Sequence, residues 1–356
     1  MAQATAQQPK AIFHPWVDAL AIGGLSIGFI TFLLLVEPNW NSSQVAEQFV
    51  ILSALLNWPH FMATYFLLYG SKETVERYPW STKWMPLLLG AYCLATIFIA
   101  PYSEMPLNLA LFSAGAYLAW HYTGQTWGMM ATFSYLGGAP IDDSEKKFLR
   151  LSLRLLLVWH LVWFLFHPPD YGLHETLLPK YYLVYRSASI ILIGAGIILG
   201  GYGMYRYIKR IERTPPIRVL IPFVSIWLWY ALLAVYPFAI FWVQLSHALQ
   251  YLLFPARVEV NRKEKQAADA DARGGRSWLQ LAGYAVLLLG SGVLIFEGFP
   301  RLLEWTVPLV GAGVTLAHTK AAIGAFINIH HFFADGAIWK ISNPAVRGEL
   351  FSHLKR

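Results

Sequence analysis

An all-α bundle of about ten transmembrane helices, with both termini in the cytoplasm, is the fold class this sequence predicts. Three observations predict it. Fifty-six per cent of the residues are hydrophobic and 13% are charged. Apolar runs recur along the whole chain, each near the ~20 residues that cross a bilayer core. Basic residues crowd into every second connection between those runs, as the excess of Lys and Arg in cytoplasmic loops requires.

In chain order the spans are read at 17–36, 47–69, 84–103, 106–137, 148–167, 181–205, 217–236, 237–255, 278–297 and 305–340. The first follows "MAQATAQQPKAIFHPW", which lacks the basic n-region and short apolar core of a cleavable signal peptide, so span 1 is expected to serve as its own insertion signal. The connections after spans 2, 4, 6, 8 and 10 carry Lys72, Arg77 and Lys83; Lys146, Lys147 and Arg150; Arg206, Lys209, Arg210 and Arg213; Arg257, Arg262, Lys263 and Lys265; and Lys340, Arg347 and Lys355. Alternate loops such as "VEPNWNSSQ" and "PYSEMP" are poor in Lys and Arg. Even-numbered spans therefore run from outside to inside. The segment 256–277 reads as the one long polar cytoplasmic loop of a single integral membrane domain, 1–356. The last apolar region is too long for one ordinary span; it tilts, projects into the cytoplasm, or breaks near Gly311–Gly313.

Several function classes are excluded. The net charge of +7 lies in loops, where cytoplasmic retention explains it better than nucleic acid does. One cysteine, Cys93 inside an apolar run, rules out a disulfide framework and any CxxC redox or zinc motif. There is no dinucleotide fingerprint and no P-loop; "GGYG" at 200–203 reads as helix packing.

The eleven histidines differ in kind. His167, His174 and His353 sit in or near loops, and His14 sits at the membrane interface before span 1. His160, with no polar neighbour at helical spacing, reads as bonded to a carbonyl. His318, beside Lys320, belongs to the outer half. Four positions form a pattern instead: His60 in "NWPHFMATY", His121 in "AWHYTGQTWG", His247 in "QLSHALQYL" and the pair His330–His331 in "FINIHHFFADGAIWK". They fall on spans 2, 4, 8 and 10, which run in the same direction. In spans 2, 8 and 10 the histidine precedes the first cytoplasmic basic residue by roughly three turns, about 15 Å. Histidines from four helices can thus share one depth, which a single site needs.

Each histidine also has polar company on its own helix face, three or four residues away: Asn57 and Thr64 for His60, Gln125 for His121, Gln250 and Tyr251 for His247, Asn328 and Asp335 for His331. A metal-bound imidazole needs its second nitrogen held by such a group. Ionisable groups inside a membrane are costly and mark function by default. The pattern predicts that His60, His121, His247 and at least one of His330 and His331 converge on a transition metal, with Asp335 as a further catalytic group or ligand. Asn57, Gln125, Gln250, Tyr251 and Asn328 are the expected supporting residues. Imidazoles without thiolates suit iron, copper or zinc, and iron is the expected ion. Aromatic, apolar surroundings suit a lipid-soluble substrate, reached through a cavity lined by aromatics such as Trp58, Trp120, Trp127, Phe332 and Phe333. No segment supplies a flavin or nicotinamide site. A monooxygenase would need an external electron donor, whereas a dioxygenase draws its electrons from the substrate.

The motifs resemble those of the membrane-bound β-carotene-cleaving oxygenases of the Brp/Blh type. "PHF" at 59–61 is similar to that family's Pro-His-Gly start, and "HYTGQ" at 121–125 to its His-Phe-Gly stretch. "SHALQY" at 246–251 lies where the family has a His-x-x-x-His pair, with Tyr251 in place of the second histidine. The resemblance implies a polytopic helical fold, histidine-bound iron, dioxygen and a polyene-like substrate. The membrane desaturases and hydroxylases share the HH pair but not their repeated HxxxH and HxxHH boxes. Two other readings stay open from the residues alone. One is a haem b electron-transfer subunit with paired histidines, although stacked haems need histidines at two depths. The other is a proton-coupled transporter with a relay of Asp335, His331 and Lys320.

Overall fold

The computed structural model describes residues 10–36, 49–166, 177–236, 239–269, 277–306, 313–339 and 344–355. Every regular element among the described residues is a helix. The chain begins with α1, a continuous run of Pro15–Ala19, Leu20–Gly24 and Leu25–Val36. There follow α2 (Phe49–Leu68), the short α3 (Lys72–Arg77) and α4 (Trp80–Ile99). Then come α5 (Met105–Leu136), α6 (Asp143–Phe166), α7 (Leu177–Ile211) and α8 (Ile217–Val235). The chain continues as α9 (Ile240–Asp269) and α10, which joins Ser277–Val293, Leu294–Gly298 and Phe299–Thr306. It closes with α11 (Leu316–Ile338) and α12 (Pro344–Leu350).

Seven of these, α1, α2, α4, α6, α7, α8 and α10, are long and apolar enough to cross a membrane, which makes this a membrane protein. The three remaining long helices, α5, α9 and α11, carry His121, His247 and His331. They are long, at 32, 30 and 23 residues, but polar side chains dilute their apolar character. Three of the four helices that hold the polar centre are thus ones that composition alone does not mark as spans.

Two sequence-stated boundaries change. Residues 256–269, expected as a solvated loop, continue α9 as helix to Asp269, because Arg257 spans one turn to Asn261 (2.8 Å) and Asn261 binds the Leu350 carbonyl (3.1 Å). Residues 270–276 lie outside the described residues. The 305–340 region is two helices: α10 ends at Thr306, and α11 opens at Leu316 behind a Thr315 cap that accepts from the His318 amide. Gly313 just before that cap has a φ of 25°; Gly311 lies outside the described residues.

Proline explains most of the helix irregularity. Three widened π-type turns, Ser53–Asn57, Trp80–Trp84 and Leu294–Gly298, each stand just before Pro59, Pro86 and Pro300. A helical proline lacks the N–H and collides with the carbonyl four residues back. Those carbonyls belong to Leu55, Thr82 and Phe296, inside the widened turns. The fourth such turn, Leu20–Gly24, holds Gly23 at φ 144°, where a Cβ would come within 2.8 Å of Ser225. Only glycine suits both the dihedral and the approach of α8.

Lipid is as apolar as leucine, so helices associate in membranes through close packing and polar contacts. The α6–α7 pair shows both: a Cβ at Gly200 would fall 2.6 Å from Ser152 Oγ, and the Ser152 hydroxyl donates to the Gly196 carbonyl (2.8 Å). Packing is the role that "GGYG" was expected to have. Elsewhere in the bundle, the buried Asp18 carboxylate pairs with Arg218 (3.0 Å) and accepts from the amides of Ile12 and Phe13 (2.8 and 3.0 Å). This pins the start of α1 to α8.

Candidate metal centre

Four helices converge on one point. His60 from α2, His121 from α5, His247 from α9 and His331 from α11 each offer a ring nitrogen, and these atoms lie within 4.8 Å of one another. All four side chains are buried, from 7% exposure at His121 to 0% at His331. The imidazoles form a closed circuit of edge-on contacts. His60 meets His331 at 4.4 Å between ring centroids, His331 meets His121 at 4.9 Å, His121 meets His247 at 4.6 Å, and His247 returns to His60 at 5.1 Å. Four distant sequence positions therefore meet at one place.

The geometry suits an ion. His121 Nε2 and His331 Nε2 stand 3.3 Å apart. Two imidazoles bound to one tetrahedral ion at about 2.0–2.1 Å would hold their nitrogens about 3.4 Å apart. His60 Nε2, His247 Nε2 and His331 Nδ1 are buried without a hydrogen-bond partner. Each buried polar atom left unpaired costs about 1–3 kcal/mol, and a metal ion removes that cost for every nitrogen it binds. His60 Nδ1 faces the Asn57 carbonyl at 3.3 Å. That contact places the proton on Nδ1 and leaves the Nε2 lone pair for a ligand bond.

Asp335 lies one turn along α11 from His331. Its Oδ2 is 3.3 Å from His331 Nε2 and 3.7 Å from His121 Nε2. Its Oδ1 accepts from the Tyr251 hydroxyl (2.9 Å) and from Thr64 (3.0 Å). The Tyr251 hydroxyl in turn accepts from Trp339 Nε1 (2.8 Å). Tyr251 sits one turn after His247, and its ring lies 4.7 Å from that of His60. Trp339 is the member of this network that the sequence reading missed. The available signal was its position four residues after Asp335, on the same face of α11.

The expected residues sort into three groups. His60, His121, His247, His331, Asp335 and Tyr251 come together. Asn57, Gln125 and Gln250 support the centre through the backbone rather than by holding an imidazole. Asn57 uses its carbonyl; Gln125 donates to the His247 carbonyl (3.2 Å) and to Gln250 Oε1 (3.4 Å); and Gln250 donates to the Ile22 carbonyl (2.7 Å) in the widened turn of α1. His330 and Asn328 stand apart. His330 has both nitrogens engaged, Nε2 at 2.7 Å from the Ser81 carbonyl and Nδ1 at 3.1 Å from the Tyr65 hydroxyl, so it ties α11 to α4 and α2. Asn328 bonds back to the Gly324 carbonyl of its own helix (2.8 Å). The 100° step between adjacent helical residues separates the two histidines of the pair.

The outlying histidines among the described residues make structural contacts. His160 Nδ1 meets the Tyr230 hydroxyl at 2.9 Å, and the backbone of Gly115 is a further partner of the ring. His318 shares the α11 cap with Thr315, and His353 contacts the Ala11 carbonyl (2.9 Å). His167 and His174 lie outside the described residues. Lys320 is held by Glu297 at 2.7 Å, so the expected relay of Lys320 with His331 and Asp335 does not assemble.

A cavity of about 260 Å³ adjoins the centre, with His121 and Asp335 in its wall. Of the aromatics expected to line a path, Trp120 and Phe332 do so. Trp58 instead stacks on Phe296 (5.3 Å), Phe333 on Tyr117 (5.4 Å), and Trp127 packs into the core around Trp159 and Trp229. No protein-family model matches the chain, and no curated protein and no solved structure matches it.

Proposed function

We propose that this protein is a membrane-embedded, histidine-ligated non-haem iron oxygenase acting on an apolar, lipid-soluble substrate. The observation that carries the reading is the circuit of four buried imidazoles, with the Nε2 atoms of His60 and His247 unpaired and those of His121 and His331 3.3 Å apart. Four neutral imidazoles and one carboxylate, with no thiolate, are a donor set for iron, copper or zinc. Iron held this way supplies dioxygen chemistry. The chain's own groups have distinct tasks. His60, His121, His247 and His331 would hold the ion, and Asp335, whose Oδ2 stands beside the Nε2 atoms of His331 and His121, would add a carboxylate ligand. Tyr251 and Thr64 fix Asp335, with Tyr251 placed to hold or pass a proton at its hydroxyl. In this reading α5, α9 and α11 also span the bilayer, giving ten spans with cytoplasmic termini, and the substrate enters from the lipid. The resemblance to the Brp/Blh-type oxygenases in "PHF" and "HYTGQ" agrees with such chemistry, and Tyr251 is the departure from it.

Edge-on packing of the four rings, at 4.4–5.1 Å in the circuit, leaves no slot between them for a porphyrin, which counts against a haem b subunit. The engagement of Lys320 by Glu297 counts against the proton relay of a transporter. The test is elemental analysis of protein purified in mild detergent, paired with dioxygen uptake on addition of membrane lipid extract. Close to one iron per chain, with uptake abolished by a chelator and restored by ferrous iron, is expected. A haem absorption spectrum, or a metal-free protein that takes up no ion, would overturn the proposal.

A further inference from the structure

The cavity beside the histidines has a definite shape. Trp120, Gly124, Gly128 and Thr132 lie four residues apart on α5 and form one row along its surface. Twelve residues of helix make that row about 18 Å long. The facing wall comes from Tyr251 and Phe254 of α9 and from Phe332 and Gly336 of α11. His121 and Asp335 stand at one end, and Leu350 of α12 stands near the other.

The glycines here differ from those that let helices touch. A Cβ built on Gly124, Gly128 or Gly336 meets no atom within 4 Å, whereas one on Gly200 falls 2.5 Å from Phe223. The glycines of the row therefore face open space. Absence of side chains along α5 makes a long trough, and its walls are mostly aromatic and aliphatic. The mouth is beside Trp120, which is 60% exposed on a helix that lies among membrane helices. The volume of about 260 Å³ falls just under the roughly 300–1,000 Å³ of ordinary small-molecule pockets. Spread over the length of the row, it is narrow.

We propose that this trough binds one extended lipid chain, acyl or isoprenoid, drawn from the bilayer. The chain lies along Gly124 and Gly128 with one segment against His121 and Asp335 and its tail toward Leu350. The inference rests on the iron-centre reading for what happens to that segment, but not for the binding itself. Gly124 and Gly128 set specificity by width: any side chain there projects into the trough.

Photoreactive diazirine analogues of palmitic acid and of geranylgeraniol are the probes, applied to the full-length protein in nanodiscs. Peptide mapping by mass spectrometry reads the labelled sites, and elemental analysis reads the metal in the same samples. One or both probes should label the Trp120–Thr132 segment, and excess unlabelled chain should compete. Which probe labels distinguishes the acyl from the isoprenoid source. The double variant Gly124→Leu/Gly128→Leu should lose at least tenfold of that labelling while keeping its metal. Gly283→Leu, on an exposed position of α10 with nothing within 4 Å of its Cβ, should change neither. Gly128→Ala, a single added methyl, serves should the double variant fail to insert, and it should weaken labelling several-fold. Labelling of α5 by neither probe, labelling that does not compete, or labelling undiminished by the glycine substitutions would each overturn the trough. Competed labelling in protein that binds no metal would leave the trough standing and overturn the iron-centre reading.

Discussion

The adjacent pair His330–His331 gives the sharpest test of the centre, because neighbours in sequence have opposite assignments. His331 is buried at 0% exposure, with Nε2 at 3.3 Å from His121 Nε2. His330 is as buried, at 1%, but spends both nitrogens on Ser81 and Tyr65. In His331→Ala one of four ligands is gone. Loss of an outer hydrogen-bond partner costs roughly 10–100-fold in metal affinity, so loss of a ligand should exceed the upper end, more than about 2.7 kcal/mol. His330→Ala removes two hydrogen bonds and strands a buried carbonyl and hydroxyl, which costs roughly 1–3 kcal/mol of stability without touching the ion.

Metal content and thermal unfolding in detergent separate the two. Free metal at a hundred times its dissociation constant stabilises a folded protein by about 2.7 kcal/mol, which moves the melting temperature by several degrees. Wild type should melt lower when a chelator is added. His330→Ala should melt lower than wild type but keep its metal and the same chelator-dependent drop. His331→Ala should contain almost no metal and show no drop. If His330→Ala loses its metal as His331→Ala does, or if both keep it, the assignment of the centre is wrong.

The remaining expectations concern the surroundings. Tyr251→Phe removes one donor from Asp335 and the acceptor of Trp339; metal affinity measured by competitive chelation should fall about 10-fold, and an unchanged affinity would detach Tyr251 from the centre. Arg218→Met leaves Asp18 buried and unpaired and should destabilise by about 3–5 kcal/mol, whereas Asp18→Asn/Arg218→Met should recover most of that; equal melting of the two variants would show the pair to be incidental. Asp142 caps α6, its Oδ1 accepting from the Glu145 amide (3.0 Å) and the Ser144 amide (2.9 Å). Those bonds, first the one from Glu145, and the nearby Arg210 hold its pKa below the usual aspartate value of 3.8. The stabilisation is therefore complete above the unfolded-state pKa and lost as pH falls through the lowered value. Asp142→Ala should cost about 0.5–2 kcal/mol at neutral pH, with the difference from wild type shrinking only below about pH 3.8. A difference that vanishes already near pH 6 would contradict the capping role.

Much of the centre was legible because two periodicities coincide in the sequence. The alternation of basic loops fixed a direction for each helix, and the distance from histidine to loop then fixed a depth. His60, His247 and His331 satisfied both, His121 lay near the middle of its longer span, and the four converge. Rotation about each helix axis was less legible. The i,i+4 rule put Gln125 with His121 and Gln250 near His247, but which group a long amide reaches depends on the neighbouring helix. Gln250 reaches the Ile22 carbonyl because the widened turn at Gly23 exposes it. His330 shows the same limit: burial and histidine identity were visible, but its partners on α2 and α4 lie about 250 residues away in sequence, at Ser81 and Tyr65. The widened turns, by contrast, were written in the sequence as Pro59, Pro86 and Pro300.

The division of labour between helices has a physical reason. A helix with histidine, glutamine and aspartate on one face cannot turn that face to lipid, where each unpaired polar group is costly. α5, α9 and α11 carry such faces, and so each must turn its polar face to a partner that is also polar there. The three find one another and His60 of α2, while the seven more apolar helices include those whose outward faces stay exposed, such as Ile190, Ile191 and Ile198 on α7. Polar contacts then select the arrangement: Gln125 to the His247 carbonyl joins α5 to α9, Tyr251 to Asp335 joins α9 to α11, and Thr64 to Asp335 joins α11 to α2. These bonds leave the centre with its imidazole nitrogens still short of partners. Hydrogen bonds that assemble four helices around unpaired nitrogens stabilise the bundle only in part. Binding of an ion would complete them, so assembly and metal loading should be linked, with apo protein showing looser packing of α11 against α5.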